Sequence, residues 1–187
     1  MPEDDIYKSK GKYEYFVANV EEFLLPPDKR KILSRGKAKY YCKYRDNLKY
    51  FYKLFDSFDA KDLSYIRRNR ILCNFRLISY VAEKDLAKLE REDIDKIVAY
   101  MHKTHKSASS KEDFVKNIKR TWKTLFPERD EKGRIDENIC PYPVRHLKGR
   151  VDKSREKARK DKLTWDEFEK IIEYFGCNTR MQAYLTL

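Results

Sequence analysis

The stretch AKYYCKYRDNLKYFYKLFDSF, residues 38–58, carries the strongest periodic signal in the chain. Tyr41, Tyr44, Leu48, Phe51, Phe55 and Phe58 step by 3, 4, 3, 4 and 3 residues, the recurrence of a single helical face. The spacing predicts one helix over 38–58 with its aromatic stripe against a core. Lys39, Lys43, Lys49 and Lys53 lie off that stripe. Strict helical spacing favours packing over a base-stacking platform for these rings.

Beyond this stretch the pattern stays helical. A second helix is predicted over Asp62–Ala82, with Leu63, Ile66, Leu72, Phe75, Ile78 and Val81 on one face and Arg67, Arg68, Arg70 and Arg76 around the rest. A third runs from Asp93 to about His105, with Ile94, Ile97, Val98 and Met101 on its apolar face. Acidic Glu92, Asp93 and Asp95 suit its N-terminus, where the helix dipole is positive. A fourth opens on Ser109 and Glu112 as a capping box and continues through Phe114, Ile118, Trp122 and Leu125 to Pro127. On the N-terminal side, Tyr13, Phe16, Val17, Val20, Phe23 and Leu24 suggest one helix stopped by Pro26 and Pro27.

Residues 127–162 change character. Five of the eleven glycines and prolines fall between Pro127 and Gly149. Pro141 and Pro143 flank Tyr142, which predicts extended backbone, and a strongly basic run follows. A second capping box, Thr164 with Glu167, opens a last unit whose apolar face is Trp165, Phe168, Ile171, Ile172 and Phe175, with Gly176 as its stop. Thr179–Leu187 then begins another amphipathic segment. The resulting expectation is an all-α protein with an N-terminal extension (1–37), a four-to-five-helix domain (38–126), a basic linker (127–162) and the truncated start of a second domain (163–187).

Composition narrows the function classes. Hydrophobic residues make up 41% and aromatics 14% of the 187 residues, too much for a disordered tail. No run approaches the roughly 18 apolar residues of a membrane span. Met1–Asp5 has neither signal- nor transit-peptide character, and Cys42, Cys73, Cys140 and Cys177 are scattered like reduced thiols. A cytoplasmic protein without membrane association is expected. Abundant Lys, Glu, Tyr and Ile with Gln182 as the one glutamine resemble a heat-adapted composition.

The formal net charge of +12 is concentrated. Arg35–Lys53 holds seven Lys/Arg against Asp46, and Val144–Lys162 holds nine against Asp152, Glu156 and Asp161. Clustered cations favour a polyanion, because phosphate contacts release counterions. No Gly-rich phosphate loop is present. His102 and His105 are three apart on a predicted helix, but nothing at ligand spacing completes a metal site. Cys140 and His146 show no nucleophile pattern. Adjacent carboxylates such as Asp4/Asp5 and Glu21/Glu22 point apart on a helix. No catalytic residue, metal ligand or cofactor is expected.

The order of segments resembles a known family. A Tyr-rich helix (Lys39–Phe58) precedes DLAKLEREDIDKIVAYM (Asp85–Met101) and SASSKEDFVKNIKRTWKTLF (Ser107–Phe126). A Pro-containing basic linker then leads to KLTWDEFEKIIEYF (Lys162–Phe175). Over about 38–187 this is similar to the N-terminal core-binding, SAM-like domain of tyrosine recombinases, the phage-integrase family in its archaeal form, with the start of the catalytic domain. The family's catalytic arginine, lysine, His-x-x-Arg pair and nucleophilic tyrosine have no match here, and Arg180 precedes the arginine position.

The resemblance implies a helical domain clamping duplex DNA in recombination or integration, non-catalytic as it stands, with self-association on DNA. By analogy, Ser109, Ser110, Lys111, Lys116, Lys119 and Arg120 would face the groove. Lys39, Lys43 and Arg45 would face phosphate from the first helix, and Arg145, Lys148, Arg150 and Lys153 would track the backbone from the linker. The alternative is a stand-alone helical DNA- or RNA-binding regulator, since charge alone does not separate the two nucleic acids.

Overall fold

A computed structural model describes residues 7–31, 39–130, 132–136, 139–149 and 164–175. Its helices are α1 (Ser9–Ala18), α2 (Val20–Phe23), α3 (Leu48–Ala60), α4 (Tyr65–Val81), α5 (Arg91–Thr104), α6 (Ala108–Leu125), α7 (Tyr142–Arg145) and α8 (Trp165–Phe175). Among the described residues the only β-pairing is an isolated bridge between Arg129 and Ile135. The fold is all-α, and the chain divides into two units, Met1–Val151 and Asp152–Leu187.

In the first unit α4 is the central helix, packed against α1, α5 and α6. That position explains why it buries Ile71, Leu72, Phe75, Leu77 and Ile78 around much of its circumference. Phe75 meets Phe51 of α3 edge-on at 4.6 Å. From α5 come Ile94, Ile97 and Met101, and from α6 come Phe114, Ile118 and Trp122, all essentially without exposed surface. These faces match the sequence pattern.

The boundaries differ in instructive ways. Residues 39–44 are not helical, so Tyr41 and Tyr44 do not share a helical stripe with Phe51. Their backbone is committed to tertiary partners: the Cys42 N–H donates to the Leu24 carbonyl at 3.0 Å and the Lys43 N–H to the Ser79 carbonyl at 3.3 Å. A 3-10 turn, Arg45–Asn47, then feeds α3. The second helix runs over Tyr65–Val81, and Ile66, placed on its apolar face by spacing, is exposed. Arg68 is instead buried, stacked 5.1 Å from the Tyr13 ring and 4.9 Å from the Tyr65 ring and paired with Asp59. Arg76 lies 5.5 Å over Phe16 and donates to the Tyr40 carbonyl at 3.2 Å. A guanidinium's planar, weakly hydrated cation permits this, with its stem counted as apolar surface.

The cap of α6 is also displaced. Ser107, not Ser109, is the N-cap, accepting from the Ser110 N–H at 3.4 Å. Glu112 turns forward to Lys116 at 2.7 Å instead of back to the cap. Buried Ala108 sets where the helix enters the core. The capping box that does form in this unit is Glu90 with Asp93, ahead of α5.

Domain borders move for the same reason. Tyr13, Phe16, Val20 and Leu24 belong to the one core cluster, so 9–24 is part of the domain rather than an extension. At the other end, Val144 and Leu147 belong to that cluster too, which removes 139–149 from the linker. Pro141 is extended, as its φ of −52° and ψ of 139° show, but Tyr142 and Pro143 are helical. Tyr142 begins the single turn α7, packed on α5 and α6, where Pro143, early in the helix, loses no intrahelical bond. Glu128 fastens that turn, accepting from the Tyr142 N–H at 2.5 Å and from Arg145 at 2.7 Å.

In the second unit α8 has its expected cap: the Glu167 carboxylate accepts from the Thr164 N–H at 2.9 Å, and Thr164 Oγ1 accepts from the Glu167 N–H at 3.3 Å. Trp165 and Tyr174 on this helix are exposed.

Candidate nucleic-acid interface

Lys39, Lys43 and Arg45 do not project from a helix; the first two lie on the extended segment before α3 and Arg45 on its 3-10 turn. Lys39 Nζ sits 5.8 Å from the Tyr100 ring centre, and a hydrogen bond with Tyr100 raises its pKa. Lys43 pairs with Glu83 at 2.8 Å, which likewise holds its proton more tightly, and lies 5.3 Å over Tyr80. Two of the three predicted phosphate contacts thus already have partners within the protein.

On α6, Ser109 and Ser110 are exposed in the first turn and Lys111 is half-buried. Farther along, the helix face opposite Ile118 carries a second group. Lys116 pairs with Glu112, and its stem passes 3.9 Å from where a Cβ on Gly149 would stand. Lys119 donates to the Arg145 carbonyl at 3.4 Å. The structure therefore brings Lys116, Lys119 and Arg145 together with the Lys148–Gly149 segment. Arg145 itself is a fastening residue, held by Glu128 and by the Cys140 carbonyl at 3.0 Å. Lys148 is exposed. Arg150 and Lys153 lie outside the described residues, as does most of the second basic stretch.

Arg120 stands apart from that group. It points into a cleft of about 270 Å³ between α3, α4 and α6, which also carries Lys61, Arg67 and Lys123. Burial, and then the nearby positive charge of Arg67, push its pKa below the ordinary arginine value. Among the described residues no carboxylate lines this cleft. The sequence pattern offers Arg120 as a DNA-binding candidate but not Lys61 or Arg67. No local pattern could have found them, because the cleft exists only where α4 meets α6.

Among the described residues no group of three or more His, Cys, Asp or Glu is placed to hold a metal ion. His102 has its pKa lowered by burial and then by Lys111, and the His105 ring lies 6.3 Å from Phe114. Among those same residues no helix is long and apolar enough to cross a membrane. Comparison with protein-family models, curated proteins and solved structures finds no match to this chain.

Proposed function

We propose that this chain binds duplex DNA, as the DNA-binding portion of a tyrosine-recombinase-like protein, with no cutting step carried by its own residues. One observation carries the reading: α6 is anchored through Phe114, Ile118 and Trp122 while Lys116 and Lys119 lie beside Arg145 and the Lys148–Gly149 segment and Arg120 lines the cleft between α3, α4 and α6. A rigid helix bearing cations on its solvent side meets a regular array of phosphates without paying to order its own backbone. The net charge of +12 supplies the long-range attraction. The family resemblance of the segment order supports DNA over other polyanions.

Titration of matched duplex DNA, duplex RNA and single strands at several salt concentrations tests this. Neutralising about six phosphates should give log K against log[salt] a slope near −5, with duplex DNA bound most tightly. A slope near zero, or tighter binding of RNA, overturns the proposal.

A further inference from the structure

Several cations of the first unit have a carboxylate partner. Lys49 pairs with Asp85, Lys84 with Asp93, Arg68 with Asp59, Arg70 with Asp113 and Lys116 with Glu112. The cleft between α3, α4 and α6 has a different lining. It gathers Lys61 from the end of α3, Arg67 from α4, and Arg120 and Lys123 from α6, and among the described residues no acid lines it. Among the described residues, none of the ion pairs involves Lys61, Arg67 or Arg120. Its floor is apolar, made by Leu54, Phe58 and Ile71, and Ser57 and Thr124 add hydroxyls at the wall.

We infer that this cleft is a phosphate-binding site, with Arg67 and Arg120 as its two guanidinium forks. The argument is electrostatic. Cations of one sign in a concave site with low-dielectric walls focus the field and concentrate a counter-ion there. A phosphate can accept paired hydrogen bonds from a planar guanidinium, so two arginines from different helices give it a defined seat. Arg67 and Arg120 line the one cleft from different helices; burial, and then the Arg67 charge, lowers the Arg120 pKa. A bound dianion offsets the mutual repulsion of the two arginines. The site adds Lys61 and Arg67 to the interface proposed above, and it rests on the duplex-binding reading only for the source of its phosphate, a nucleic-acid backbone rather than a free phosphorylated compound.

The test uses the full chain in three forms: wild type, the Arg67→Gln/Arg120→Gln variant, and a Lys88→Gln/Lys103→Gln variant that removes equal charge from exposed positions outside the cleft. Inorganic phosphate should move the side-chain Nε–H NMR signals of Arg67 and Arg120 in the wild type. Duplex DNA affinity should fall about tenfold or more in the arginine variant, with its salt slope reduced by about one, and clearly less in the lysine variant. Equal losses in both variants, or no response of either arginine to phosphate, overturn the inference. If phosphate shifts both arginines but the wild type binds no duplex, the site stands with a free phosphorylated ligand, and the duplex-binding proposal falls. Arg67 and Arg120 are both exposed at the protein surface, and an unchanged far-UV spectrum will show that the arginine variant is folded.

Discussion

The Tyr50 hydroxyl donates a 2.6 Å hydrogen bond to Asp85 Oδ1, tying α3 to the loop that follows α4. Lys49 Nζ reaches the other carboxylate oxygen at 2.8 Å, and the Ala87 N–H donates to Oδ1 at 2.9 Å. Burial would raise the Asp85 pKa, but these three donors outweigh it and bring it down to about 2. Since the folded form holds this proton less tightly than an unfolded aspartate, the contribution is complete above pH about 4. It is lost as pH falls through 4 toward 2. Asp85→Asn should therefore cost about 1–3 kcal/mol near neutrality and flatten the acid limb of stability. Urea denaturation at pH 6 and pH 3 checks this; an equally steep acid loss in both proteins would refute it.

Asn47 makes a second link to the same loop. It has no exposed surface, and its carboxamide donates to the Lys84 carbonyl at 3.1 Å and accepts from the Leu86 N–H at 2.9 Å. Asn47→Ala would leave both backbone groups without this partner beside fully buried side chains, at a cost of about 2–4 kcal/mol. A shift of the denaturation midpoint at unchanged slope is the expected reading. A loss under 1 kcal/mol would mean that water replaces the amide easily.

The position of the α6 cap separates the observed helix start from the one suggested by spacing. Ser107→Ala should cost about 1 kcal/mol, and Ser109→Ala should stay within about 0.5 kcal/mol. Thermal unfolding of the two variants decides between them, and the reverse ranking would place the cap at Ser109.

Two buried side chains test the extent of the folded unit. Leu24 and Val144 are both fully buried in the core. Leu24→Ala should destabilise by about 3 kcal/mol, and Val144→Ala by roughly 2 kcal/mol. If residues 9–24 or 139–149 were mere appendages, the matching substitution would leave the cooperative transition unchanged.

The apolar faces of α5 and α6 were legible because each is one continuous stripe packed from one side. Ile94, Ile97 and Met101, or Phe114, Ile118 and Trp122, repeat at helical spacing and are all buried. The cap of α8 was legible because Thr164 and Glu167 act only on each other's backbone and side chain. The stripe through Tyr41 and Tyr44 failed because helical spacing is necessary for a helix but not sufficient. Leu24 and Ser79, distant in sequence, take up the backbone groups of Cys42 and Lys43. The sheltering of Arg68 and Arg76, placed by spacing off the apolar face, was not legible because the rings that cover them come largely from α1 and its neighbours.

Charge shows the same division. The sequence by itself determined that the chain is helical, through its periodicity, and strongly basic, through its composition, since these are local or additive properties. It could not say which cations are spent. Ion pairs such as Lys43–Glu83 and Arg145–Glu128, and the meeting of Arg67 with Arg120 across two helices, were decided by tertiary structure alone. Electrostatic energy depends on distance through space, and only the packing of the helices and their connecting segments on one another sets those distances.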